Sequence, residues 1–153
     1  MVLNSYAQDY RQLRETMVER QIKARGINHK ATLDAMLKVE RHLFVPASQQ
    51  RAAYDDSPMP IGYGQTISQP YIVAYMTEAV NPKSGDKILE IGTGSGYQAA
   101  VLSMIVDSVY TVEIIPELGA QARERLKKLH YKNLEVITGD GYNGLTKHAP
   151  FDA

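Results

Sequence analysis

Apolar positions along this chain change their period twice. Over residues 6–25, Leu13, Met17, Ile22 and Ala24 recur among charged residues at roughly helical spacing, and Gly26 supplies a C-terminal stop. Asn28 then offers a cap for a second helix, which carries Leu33, Met36 and Leu37 on one side and runs towards Leu43 before Phe44, Val45 and Pro46 break the pattern. Residues 54–71 follow neither the helical nor the strand period and hold three prolines and two glycines in eighteen positions. Structureless stretches of that length inside a compact domain are uncommon and usually functional, which predicts a substrate loop.

From residue 72 the pattern alternates between short apolar runs and amphipathic helices. A helix beginning after Ser68 continues through 72–80 and is ended by Asn81-Pro82 and Ser84-Gly85-Asp86. Residues 87–91 read as a buried strand, 98–106 as an apolar helix and 109–114 as a second strand. Pro116 suits the first turn of a helix reaching 129, with Arg123, Arg125, Lys127 and Lys128 gathered in its C-terminal half, where cations favour the helix dipole. Residues 134–138 form a third strand, turned by Gly139-Asp140-Gly141. Strands separated by helices of about ten residues imply right-handed βαβ crossovers and an α/β fold with a parallel sheet.

Charge and composition narrow the functional classes. Seventeen Lys and Arg balance seventeen Asp and Glu in 153 residues. A zero balance argues against a surface built to neutralise phosphates, so no nucleic-acid partner is expected. Cysteine is absent, which removes disulfides, thiolate metal sites and Cys nucleophiles together. The four histidines, His29, His42, His130 and His148, show no paired spacing, and no metal site is expected. The first ten residues carry Asn, Gln and Asp instead of a basic start and an apolar run, and no segment reaches the roughly 18 apolar residues of a membrane span. The expected address is therefore cytoplasmic, with no membrane partner.

The chemistry concentrates at Leu89-Glu90-Ile91-Gly92-Thr93-Gly94-Ser95-Gly96-Tyr97, between a strand and a helix. Glycines let the backbone turn sharply and approach a ligand, while a helix start presents unpaired N–H groups. The spacing is G-x-G-x-G. A dinucleotide fingerprint would need glycine where Tyr97 stands, and no Gly-Lys-Ser/Thr of a phosphate loop follows. Glu113 lies 21 residues past Gly92, at the end of the second strand, where an acid in this topology commonly reaches ribose hydroxyls. Glu90, just before the glycines, can face a cationic group such as an ammonium, and Asp140 at the end of the third strand can accept from an adenine amino group. All three acids stand at the carboxyl ends of successive strands, where open α/β sheets bind ligands.

These residues resemble the cofactor site of class I S-adenosylmethionine-dependent methyltransferases. Upstream, Gly64-Gln65-Thr66-Ile67-Ser68-Gln69-Pro70 narrows the resemblance to the protein-L-isoaspartate O-methyltransferase family, supported by Arg25-Gly26-Ile27, Phe44-Val45-Pro46 and Pro60-Ile61-Gly62. The resemblance implies a Rossmann-like, doubly wound, mainly parallel sheet preceded by N-terminal helices. It implies one domain over 1–153, divided into a helical part (1–53), a substrate loop (54–71) and a cofactor-binding α/β part (72–153). It implies methyl transfer from S-adenosyl-L-methionine to the α-carboxylate of L-isoaspartyl residues in polypeptides, leaving S-adenosyl-L-homocysteine. Cofactor residues would be Glu90, Gly92, Thr93, Gly94, Ser95, Gly96, Glu113, Asp140 and Gly141. Substrate residues would be Thr66, Ile67 and Ser68, with Ser68 also the catalytic position. An α-carboxyl with a reference pKa of about 3.3–3.7 is already ionised at neutral pH, so no general base is required, and Ser68 need only donate a hydrogen bond that aims it. The competing role for Ser68 is a helix N-cap ahead of Gln69-Pro70.

The family continues beyond Pro150-Phe151-Asp152-Ala153, which resembles the start of its fourth strand. The chain is accordingly expected to lack the C-terminal strands, to keep the cofactor half with impaired turnover, and to expose an apolar sheet edge beside Leu89 and Ile91 through which it associates, whereas the full-length protein is expected to be a monomer. Two alternatives stand beside this reading: another class I methyltransferase, and a non-catalytic cofactor-binding fragment.

Overall fold

The computed structural model describes the backbone of residues 3–153 and side chains from Tyr10 onward. Helix α1 (Leu3–Thr16) runs without a break into a π-helical turn (Met17–Ile22) and a 3-10 turn (Lys23–Arg25), and Gly26 ends it at φ +98°. The expected single helix over 6–25 is thus continuous, but its register widens at the point where Met17, Val18 and Ile22 all enter the core. Helix α2 (Lys30–Lys38) stops five residues short of Leu43, at an extended Val39. The chain then turns as a 3-10 segment (Arg41–Phe44), which carries Arg41 and Phe44 inward as well as Val39. A longer α2 would put Val39 on the face opposite Arg41 and Phe44.

Asn28 does not cap α2. Its side-chain amide donates back to the Gly26 carbonyl, His29 takes the cap position, and Glu78 Oε1 accepts from the Asn28 and His29 backbone N–H groups at 2.7 and 2.6 Å. Arg41 is fully buried, donating Nε–H to the Ala53 carbonyl at 2.7 Å with its guanidinium 4.9 Å over the Tyr97 ring. Burial holds its pKa below the usual arginine value.

The segment 54–71, expected to be structureless, contains an antiparallel hairpin. Strand β1 (Met59–Gly62) pairs with β2 (Gln65–Ile67), with a bulge between Pro60 and Gly62, and Tyr63 and Gly64 turn with φ +53° and +70°. Two positive φ values in a two-residue connection match the right-handed twist of the flanking strands. Helix α3 (Pro70–Val80) follows and closes at Asn81 in the left-handed region.

Strands β3 (Lys87–Ile91), β4 (Ser108–Glu113) and β5 (Leu134–Thr138) form a parallel sheet in the order β3-β4-β5, with Ile91 opposite Val112 and Glu113 opposite Thr138. Helices α4 (Tyr97–Ser103) and α5 (Pro116–Lys128) are the crossovers. The larger core joins the N-terminal helices, hairpin and α3 to Tyr97, Val101, Leu126 and Val136, while a smaller one gathers Ile88, Ala99, Leu102, Val106 and Val109. The free edge of β3 is occupied in part: Asp152 N–H donates to the Lys87 carbonyl and Leu89 N–H to the Ala153 carbonyl, both at 2.9 Å. The edge expected to lie bare at Leu89 is therefore covered there, whereas Ile91 is 58% exposed.

Candidate functional site

The glycine turn follows β3. Gly92, Gly94 and Gly96 take φ of +96°, +52° and +83°, values that cost a residue bearing Cβ roughly 1–2 kcal/mol each. Gly92 and Thr93 N–H groups both donate to the Val112 carbonyl, at 2.8 and 3.2 Å, which lays the turn against β4. Thr93 and Ser95 are buried and brace the turn from within. Thr93 Oγ1 lies 2.7 Å from Thr111 Oγ1, and the Ser95 hydroxyl accepts from Tyr97 N–H. The Ser95 carbonyl accepts from Arg125 Nη1 at 2.9 Å.

The three acids have distinct surroundings. Thr111 donates its one hydroxyl proton to Glu90, so Thr93 is the donor in the Thr93–Thr111 contact and the two hydroxyls form a relay ending on the carboxylate. Burial pushes the Glu90 carboxyl up to about 8; the Thr111 hydrogen bond opposes the shift and the nearby Glu113 charge adds to it. Glu113 is 4% exposed, with Oε2 accepting from Gly94 N–H at 2.7 Å and Oε1 from Ile115 N–H at 3.0 Å. Each oxygen keeps a second lone pair for a ligand hydroxyl. Asp140 accepts from Tyr142 N–H at 2.9 Å and caps a 3-10 turn (Gly141–Asn143). A Cβ at Gly141 would fall 2.7 Å from Ile91 Cγ2, so this backbone lies directly on the end of β3.

One cleft joins Thr66, Ile67 and Ser68 to Glu90, Gly92, Thr93, Gly94 and Ser95, with Val73, Tyr97 and Gln98 completing its wall. The hairpin reaches the turn itself, since Ile61 Cδ1 would stand 3.4 Å from a Cβ on Gly94. Thr66 and Ser68 are exposed, whereas the Ile67 side chain belongs to the core. Gln69, not Ser68, occupies the N-cap position of α3, which leaves the cap role for Ser68 unsupported. Gly96 lies outside the cleft, beneath Leu126 and Ala122 of α5, and Glu113, Asp140 and Gly141 stand beside it on the same sheet edge. A larger hollow of about 260 Å³ is lined by Arg123, Lys127, His130 and Lys132 among others and shares no residue with the cleft; it brings together none of the expected site residues. Thr111, Gln98 and Arg125 were not expected at the site. Thr111 could have been found from its place directly opposite Glu90 on the neighbouring strand, but Arg125 carries no local signal.

A parallel α/β sheet with a glycine turn at its carboxyl edge and acids ending successive strands defines the Rossmann-like class I methyltransferases. The chain belongs to the protein-L-isoaspartate(D-aspartate) O-methyltransferase family, whose sequence model matches residues 11–153. It is 58% identical over 141 residues to a protein-L-isoaspartate O-methyltransferase from a Picosynechococcus species, covering 92% of this chain and 64% of that protein. A solved protein-L-isoaspartate O-methyltransferase superimposes with a TM-score of 0.80 at 29% identity, over 90% of this chain and 45% of the other. A second structure, a Plasmodium falciparum beta-aspartate methyltransferase in complex with S-adenosyl-L-homocysteine, has a TM-score of 0.70 at 23% identity, over 88% of this chain and 66% of its own, and supports the fold. The chain thus spans somewhat under two thirds of the first of these relatives. Among the described residues no helix is long and apolar enough to cross a membrane.

Proposed function

We propose that this chain binds S-adenosyl-L-methionine at the glycine turn and serves methyl transfer to the α-carboxylate of L-isoaspartyl residues in polypeptides. The observation that carries the proposal is the cleft that joins Thr66 and Ser68 to Glu90 and the glycines. The donor set fits the cofactor. Glu90 is a carboxyl held near pKa 8 by burial and a neighbouring acid, so it favours a ligand that brings a positive charge such as an ammonium. Glu113 retains lone pairs suited to ribose hydroxyls, and Asp140 with Gly141 would approach the adenine. When bound, S-adenosyl-L-methionine supplies the methyl group as an electrophile and leaves as S-adenosyl-L-homocysteine.

The chain's own residues have three tasks in this reading. Gly92 and Gly94 admit the ligand to the backbone, while Gly96 lets α5 pack on the turn. Thr93 and Ser95 hold the turn in place through Thr111 and Arg125. Ser68, exposed at the cleft, donates a hydrogen bond that aims an already ionised carboxylate oxygen at the methyl carbon. From the helical part, Arg41 and Phe44 brace the turn against Tyr97; in this reading 54–71 face the polypeptide and 72–153 hold the cofactor.

Labelled methyl transfer on matched isoaspartyl and aspartyl peptides tests the proposal, using this chain and a form extended by the C-terminal third of its Picosynechococcus relative. Label should enter the isoaspartyl peptide alone, as a base-labile ester that releases methanol. Cofactor binding with no transfer by either form would reduce the chain to a binding module, and equal labelling of both peptides would point to a different methyltransferase.

A further inference from the structure

Ser68 lies between two fixed points. On one side, Ile67 is buried and pairs with Met59 across the hairpin. On the other, Tyr71 is the second residue of α3, and its backbone N–H is held by a residue fifteen positions upstream: Asp56 Oδ1 accepts from it at 3.1 Å. Asp56 Oδ2 also accepts from the Gln69 side chain at 3.3 Å and from Arg25 Nη1 at 2.6 Å. Arg25 is itself fixed, its guanidinium lying 3.4 Å from the centre of the Tyr71 ring. Gln69 supplies no cap bond of its own to α3, and Pro70 has no N–H to satisfy, so the charged cap of this helix is provided from outside it. A carboxylate at a helix start is favoured by the dipole as well as by the hydrogen bond.

We propose that Asp56, backed by Arg25, is a positioning residue for methyl transfer: by capping α3 from the preceding loop it fixes where Ser68 stands against the glycine turn. The role rests on the reading of Ser68 given above. Asp56 is outside the residues lining the cleft, so it acts through the Ser68–Tyr71 turn. Loss of the clamp leaves Ser68 tethered on the hairpin side only. A displacement of about 1 Å at a reacting group lowers turnover by one to two orders of magnitude.

The test uses whichever form of the chain transfers methyl to the isoaspartyl peptide. Asp56→Ala should lower kcat by about tenfold or more, leave the Kd for S-adenosyl-L-homocysteine within about twofold, and speed hydrogen exchange at the Tyr71 amide. Asp56→Asn retains an oxygen for that amide and should recover much of the loss. Arg25→Met leaves the cap bond in place, should cost less than Asp56→Ala, and serves with Asp56→Asn should the alanine variant not fold. A purely structural role predicts instead that cofactor affinity and turnover fall together in Asp56→Ala. That result, or turnover within twofold of the parent in Asp56→Ala, overturns the positioning role alone. Absence of transfer by the unaltered protein overturns the proposed function and this role with it.

Discussion

Glu90 allows the site to be probed without any turnover. Its carboxyl titrates near 8 in the folded chain and near its ordinary 4.5 when unfolded, because burial outweighs the Thr111 hydrogen bond and Glu113 adds repulsion. Between those values the folded state keeps a proton that the unfolded state has released. The stability tied to this group is therefore intact below about 4.5 and is lost as pH rises through about 8. At about 1.4 kcal/mol per pH unit the whole interval would amount to roughly 4–5 kcal/mol. Glu90 as a residue is only half-buried, so a working figure is about 2–3 kcal/mol, which in a domain of this size shifts Tm by roughly 5–10 °C.

Glu90→Gln keeps the shape and an acceptor for Thr111 but cannot ionise. Thermal melts at pH 5, 7 and 9 should show the parent losing about 5–10 °C more than the variant, with the two converging at pH 5. Titration of every other group is common to both proteins and cancels in the difference. A cofactor bearing an ammonium reverses the preference, since it binds the ionised form. Affinity for S-adenosyl-L-homocysteine should rise about tenfold per pH unit between roughly 6 and 8, with release of a proton visible by calorimetry in buffers of different ionisation enthalpy. Parallel pH profiles for parent and Glu90→Gln, in melting and in binding, would refute the reasoning.

Thr111→Val removes the hydrogen bond that opposes the upward shift of Glu90, so the rise in cofactor affinity should move to higher pH; an unshifted profile would show that the hydroxyl relay carries no weight. Ser68→Ala should reduce kcat on an isoaspartyl peptide about tenfold or more while cofactor affinity stays within twofold, and unchanged turnover would remove Ser68 from the site. Gly96→Ala combines strain at φ +83° with a Cβ 3.0 Å from Leu126 Cδ1, for about 2–4 kcal/mol in all, whereas Gly92→Ala meets nothing within 4 Å and carries the strain alone. Gly96→Ala should therefore melt well below Gly92→Ala, and equal melting temperatures would contradict the close packing of α5 on the turn.

What the sequence made legible follows from how far apart the interacting residues lie. Strands β3 and β5 fall at the positions expected, because each is a short apolar run bounded by turn residues. The glycine turn and its acids were legible for the same reason, their spacing being local. The hairpin was not, because Pro60 and a bulge interrupt β1 and its partner has three residues, too few to show alternation. Helix α2 was drawn too long because Leu43 and Phe44 continue its apolar spacing beyond an extended Val39. Arg41 is fully buried, and nothing in the local pattern signals it, because its partners Ala53 and Tyr97 lie 12 and 56 residues away. Asp56 and Arg125 reach their partners across 15 and 30 residues, separations over which no periodic pattern extends.

The caps supplied from outside their own helices set a timetable for biosynthesis. The backbone at the start of α2 meets its acceptor in Glu78, fifty residues later. At roughly 5–20 residues per second, that carboxylate is synthesised several seconds after the segment it serves. An emerging N-terminal portion would hold these donors open to water or to other proteins until α3 follows, so this half of the molecule should close as a unit rather than helix by helix.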